Sequence, residues 1–130
     1  MFIQIIVIAI GGSLGTLLRY FLAVWVSGLT RHVDFPWGIF LCNVLGSFLV
    51  GIFAGVILHK THSNPLLGLF LIVGFCGGFT TFSTFSLDTI HFLKGGNMGL
   101  AFLNVSASLL CCLTVTYLGL KWGALLYARP

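Results

Sequence analysis

The chain has 130 residues, 58% of them hydrophobic and 6% charged, with a formal net charge of +4 and a mean hydropathy of +1.14. Soluble domains carry roughly 25% charged residues, so this chain cannot cover a water-facing surface and is read as one integral membrane domain, residues 1–130. Six Lys and Arg against two acids are too few and too scattered for a nucleic-acid patch, and no carboxylate pair or nucleophile with a His–acid partner marks an enzyme.

Four apolar runs follow one another at about residues 2–28, 37–58, 66–93 and 98–127, each long enough for the ~20 residues of a spanning helix. The breaks are Leu29 to Pro36, His59 to Pro65 and Lys94 to Asn97. Loops this short force consecutive helices antiparallel and leave both termini on one side. The expected fold class is therefore all-α, with four transmembrane helices. The first run is not expected to be a signal peptide, because no basic residue stands in front of it and it continues past residue 20 with no small-residue cleavage site.

Each run carries glycines four apart: Gly11/Gly15, Gly51/Gly55, Gly74/Gly78 and Gly119/Gly123. Such pairs let helix backbones approach closely where lipid supplies no hydrophobic drive, and predict a tight bundle. Gly11-Gly12-Ser13-Leu14-Gly15-Thr16 is not a phosphate loop, lacking the preceding strand and the Lys. Cys42, Cys76, Cys111 and Cys112 lie inside apolar runs, where Cys acts as a small hydrophobe; their spacing matches no C-x-x-C metal motif.

Charge is balanced across the membrane. Lys60, Lys121 and Arg129 fall on the side of the termini; Arg31 and Lys94 fall on the other, with Arg19 near that end of the first run. Orientation follows a bias in Lys and Arg, and here there is almost none. The chain is expected to insert both ways, and a functional unit to pair one copy up with one copy down.

Polar groups inside spans are costly and are functional candidates by default. Arg19 either snorkels to the interface or holds an anion vestibule. Asn43 is either an interhelical clamp or a donor aimed into a pore. Asn104 and Ser108, four apart in the last run, share a helix face. Ser106, Thr114 and Thr116 can bond back to their own helix and are read as structural. His32, His59, His62 and His91 lie near helix ends or in loops and are read as interfacial. Asp88 is the only acid within a predicted span.

The third run contains Gly74-Phe75-Cys76-Gly77-Gly78-Phe79-Thr80-Thr81-Phe82-Ser83-Thr84-Phe85-Ser86. Glycine lowers helix propensity by about 1 kcal/mol relative to Ala, so the glycines predict a helix break near the middle of the span. Non-helical backbone at membrane depth survives only against protein or a water-filled cavity. Freed carbonyls there coordinate cations. Beyond the glycines, Phe82 and Phe85 take neighbouring positions on one face. The positive edge of a phenyl ring and the neutral hydroxyls of Thr80, Thr81, Ser83, Thr84 and Ser86 can meet an anion without trapping it, as conduction requires. The plain alternative is a packing face of Phe with Ser and Thr bonded back to the helix.

The chain resembles the Fluc-type fluoride channels of the CrcB family. The matching pieces are Gly11-Gly12-x-x-Gly15-x-x-x-Arg19-Tyr20, Pro36-x-Gly38-x-x-x-x-Asn43-x-x-Gly46 and the run from Gly74 to Phe85, in family order and spacing. The resemblance implies a passive, fluoride-selective channel in the plasma membrane that exports cytoplasmic fluoride and so lowers its toxicity. It implies an antiparallel, dual-topology homodimer in the lipid bilayer, with two pores along the subunit interface. It also implies a structural Na+ on the dimer axis, held by the backbone carbonyls matching Gly77 and Thr80. Phe82 and Phe85 match the family's phenylalanine box, Asn43 the pore asparagine, Arg19 the vestibule residue, and Thr81, Ser83 and Thr84 the hydroxyl run. Ser108 matches a polar-track serine. Asn104, also assigned to the pore, stands where some members carry tyrosine.

Two other readings compete. A small proton-coupled multidrug exporter of the four-helix, dual-topology type needs a titratable carboxylate deep in the bundle. The first run has none, and Asp88 lies near a helix end. A structural membrane subunit without transport activity would have no use for an interrupted third helix.

Overall fold

The computed structural model describes residues 1–59 and 64–127. Lys60, His62 and Arg129, which enter the charge balance and the histidine reading, lie outside the described residues, as does the side chain of His59. Helix α1 spans Phe2–Leu29 and α2 spans Trp37–His59. The third span, Pro65–Lys94, is assembled from α3 (Pro65–Gly68), a π-helical segment (Leu69–Cys76), a short turn α4 (Gly77–Phe79) and α5 (Phe82–Lys94). Helix α6 spans Met98–Tyr127. All four spans are long and apolar enough to cross a bilayer, and the third is bent, as expected for the all-α class.

Local chemistry sets the ends. Thr30 closes α1 by giving both its N–H (3.0 Å) and its hydroxyl (2.9 Å) to the Val26 carbonyl. Asn64 caps the third span, its Oδ1 accepting from Leu66 N at 3.0 Å, with Pro65 in the first helical position where a missing N–H does no harm. The α5–α6 turn closes through Asn97 N to Phe92 O at 2.8 Å, with Gly96 at φ 77°, a conformation that favours glycine.

The glycine pairs join the spans in two couples. A Cβ on Gly11 would lie 2.6 Å from the Phe70 carbonyl oxygen, and one on Gly74 would lie 2.9 Å from the Ile8 oxygen. Gly119 and Gly123 meet the α2 backbone in the same way, against Ile52 N at 3.1 Å and Val56 N at 3.0 Å. The first span therefore crosses the third, and α2 crosses α6, at backbone contact distance. This is the close approach that small residues permit in lipid.

One expectation is corrected here. Gly74 and Gly78 do not break the third helix. Both lie in its helical segments, and Gly77 keeps φ −61° and ψ −36°. The backbone leaves the helix two residues later, at Thr80 (φ −88°, ψ 157°) and Thr81 (φ −150°, ψ 115°). Helix propensity has little leverage at membrane depth, because a helix is there the cheapest way to satisfy the backbone. Gly74 and Gly78 serve the crossing with α1, and the break is made by side chains.

Candidate ion pathway

The break is held open from α2. Thr81 N donates to Asn43 Oδ1 at 2.7 Å, and Asn43 Nδ2 donates to Thr81 O at 3.1 Å. This reciprocal pair occupies the amide that would otherwise bond the Gly77 carbonyl four residues earlier. It also orients the Asn43 amide, since a flip would set donor against donor. Asn43 is thus a clamp, and its second N–H remains free to donate. Thr81 then starts α5: its Oγ1 accepts from Thr84 N at 3.3 Å and lies 3.1 Å from both Ser83 Oγ and Thr84 Oγ1.

Interrupting the helix frees carbonyls, and their fates differ. Gly78 O accepts from Arg19 Nε at 3.0 Å and, more weakly, from Thr16 Oγ1 at 3.4 Å. Arg19 therefore neither snorkels alone nor stands free in a vestibule; part of its guanidinium is spent on the break. Among the described residues, Gly77 O and Thr80 O accept no hydrogen bond. A Cβ on Gly77 would have the Ile72 oxygen, at 3.8 Å, as its nearest atom among the described residues beyond its own turn. Two unpartnered carbonyls beside open space are a donor set suited to a hard cation such as Na+, which takes oxygen ligands.

A groove of about 390 Å³ runs past the break. Seven of the predicted site residues line it: Asn43, Gly77, Thr80, Thr81, Phe82, Phe85 and Ser108. Among the described residues, no charged side chain lines it. The Phe82 and Phe85 rings lie 5.3 Å apart, tilted by 41°, and Phe82 is 76% exposed on the single chain. Ser108 is buried at 8% exposure, and its Oγ has no hydrogen-bond partner among the described residues. An unpaired buried hydroxyl costs about 1–3 kcal/mol, so Ser108 holds an unspent donor beside the groove, enclosed in its present rotamer.

Four predicted residues stand outside the groove lining. Arg19 lies behind the break, and Ser83 and Thr84 sit in the hydroxyl cluster around Thr81. Asn104, 2% exposed, gives its Nδ2 to Thr89 Oγ1 at 2.9 Å, and Thr89 gives its hydroxyl to the Phe85 carbonyl at 2.8 Å. That relay ties α6 to α5 behind the phenyl rings. Replacing Asn104 with Leu should lower thermal stability by about 1–2 kcal/mol, the worth of a buried hydrogen bond. Ion flux per folded protein should stay within about twofold, since less than 0.5 kcal/mol would then reach the groove. Flux through reconstituted vesicles, normalised to folded protein, checks this.

Reading residues alone missed Gly46, Cys42, Thr16 and Thr89. Cys42 is fully buried and sends its thiol toward the Arg19 carbonyl at 3.7 Å, fixing α2 to α1 one residue before Asn43. Thr89 had a faint signal, sitting four residues beyond Phe85 on the same helix face. Ser106 and Thr116 bond back to Phe102 O (2.7 Å) and Cys112 O (2.8 Å), as expected for structural hydroxyls.

Residues 6–120 match the family model described as CrcB-like protein, Camphor Resistance (CrcB). The chain is similar to a protein of Geotalea daltonii, 43% identical over 116 residues, covering 89% of this chain and 93% of that one. A Thermus thermophilus protein is 43% identical over 121 residues, 93% of this chain and 94% of that one. One from Agrobacterium fabrum is 37% identical over 125 residues, 96% and 99% of the two chains. All three are named fluoride-specific ion channel FluC.

Proposed function

The chain belongs to the CrcB-like family, and on that premise we propose that it is a fluoride-selective ion channel, a multi-pass protein of the plasma membrane rather than an enzyme. The observation that carries the reading is the groove wall: the Phe82 and Phe85 rings, an Asn43 N–H and a Ser108 hydroxyl that have no partner among the described residues, and no charged side chain among the described lining residues. Fluoride is small and strongly hydrated, so it needs replacement donors to shed water. It would be trapped by a fixed cation but passes along weak, repeated neutral sites. Weak acid entering as HF ionises in the cytoplasm, and a passive channel lets the membrane potential drive the anion out. A proton-coupled exporter would need a carboxylate in its path, and the described residues that line the groove include none.

The finer reading has three parts. The functional unit is an antiparallel homodimer, supported by the balanced loop charges and by the open side of the groove at Phe82 and Gly77. Each copy supplies Gly77 and Thr80 carbonyls to one Na+ on the dimer axis, where the ion would offset the carbonyl dipoles and join the subunits. Asn43, Thr81, Phe82, Phe85 and Ser108 form the fluoride path, with Ser83, Thr84, Asn104 and Arg19 supporting it from outside the groove lining.

The pure protein in liposomes should release fluoride electrogenically and retain chloride. Phe82→Ile and Phe85→Ile, which keep bulk but remove the ring edge, should each slow fluoride efflux by about tenfold or more, the loss of one favourable anion contact of about 1.4 kcal/mol. Proton-coupled uptake of a lipophilic cation, with no fluoride efflux, would sink the channel reading. Unchanged efflux in both variants would remove the phenyl edges from the path.

A further inference from the structure

Gly46 is on α2, one turn beyond Asn43, and faces the break from the groove side. A Cβ there would sit inside the Thr80 methyl, Cγ2, and 3.0 Å from Phe79 Cδ1. Thr80 cannot turn away freely. Its β-branched side chain is stiff at χ1, and its Oγ1 is committed to the Cys76 carbonyl at 3.0 Å. Relief would come from losing that bond or from moving the Thr80 backbone, which is extended and carries one of the two unpartnered carbonyls. Asn43 pulls Thr81 toward α2, while the bare backbone of Gly46 leaves room for the Thr80 methyl that follows.

We propose that Gly46 is the positioning residue of the cation site: the missing side chain seats the Thr80 methyl, and this sets where the Thr80 carbonyl points. The inference rests on the reading that Gly77 and Thr80 carbonyls hold Na+. It assigns Gly46 no contact with the ion itself. The bond from Thr80 Oγ1 to Cys76 O makes the lever rigid, so a change at Gly46 reaches the carbonyl rather than being absorbed by a rotamer change.

The test measures fluoride efflux from liposomes holding the full chain, with Na+ varied against N-methylglucamine. Gly46→Ala should raise the sodium concentration for half-maximal efflux by about tenfold or more, the low end of what an overpacked contact displaces. Thr80→Ser keeps the hydroxyl and removes the methyl. In that background Gly46→Ala should add under about twofold, a non-additivity that contacting residues show. If Gly46→Ala alone does not assemble, recovery of folded protein by Thr80→Ser supports the inference, and failure to recover overturns it. An unshifted sodium curve in Gly46→Ala, or an equal shift with and without Thr80→Ser, also overturns it. Efflux from the unaltered protein that ignores sodium would overturn the cation reading itself, and is told apart because it appears before any substitution.

Discussion

Asn43→Leu should cut fluoride efflux by about tenfold or more, the consequence of losing even one buried hydrogen bond of about 1.4 kcal/mol where it holds the path. The substitution keeps the branched shape of the side chain and leaves the α2–α6 crossing intact, yet it removes both bonds to Thr81. The freed Thr81 N–H then has one cheap partner, the Gly77 carbonyl four residues earlier, which accepts no bond from the described residues. That bond would heal the helix through Thr80 and Thr81, swing Phe82 away from the Ser108 wall and consume one carbonyl of the proposed cation site. Efflux should fall and its sodium dependence should weaken together, while the bundle stays folded. Slower amide exchange at Thr81 would mark the healed helix. Efflux within twofold of the native rate would show that something other than Asn43 keeps the break open.

Gly15→Ala should unfold or disassemble the chain, at a cost of about 3 kcal/mol or more, the upper end for overpacked sites. The added Cβ would overlap the Phe75 carbonyl oxygen and lie 2.9 Å from Phe79 N. Both are backbone atoms of the crossing span, so no rotamer relieves the clash. The same substitution at Gly28, where a Cβ would meet nothing within 4 Å, should leave stability at or slightly above the native value, since Ala is the better helix former. Thermal unfolding in detergent checks the pair. Equal stability of the two variants would mean that the α1 crossing is looser than its glycines require.

The four spans were legible because length and hydropathy are nearly sufficient when the solvent is lipid: residues 2–28 and 98–127 need only be long and apolar to become α1 and α6. The paired glycines were legible as crossing points for the same reason, although which spans they joined was not. Spacing within a helix says which residues share its face, but not which helix lies opposite. The break was placed near the middle of the third span, where it lies, but its cause was misassigned because propensity was read as if the chain were in water. Gly74 and Gly78 looked like helix breakers, whereas in a bilayer they stay helical and admit α1.

The amino-acid sequence by itself determined the class of protein, the number of spans and the chemical palette of the path, because each follows from composition and short-range spacing. Phe82 and Phe85 could be proposed as groups suited to an anion from residue type and spacing, whereas Ser108 entered only through the family resemblance. Only the tertiary structure decided which polar groups are spent on the fold and which remain free. Asn104 proved to be tied to Thr89, and part of Arg19 to the Gly78 carbonyl. The Ser108 hydroxyl and the Gly77 and Thr80 carbonyls were left without partners among the described residues. Whether a buried polar group is satisfied depends on atoms tens of residues away, from Asn43 to Thr81 and from Arg19 to Gly78, and no local pattern carries that information.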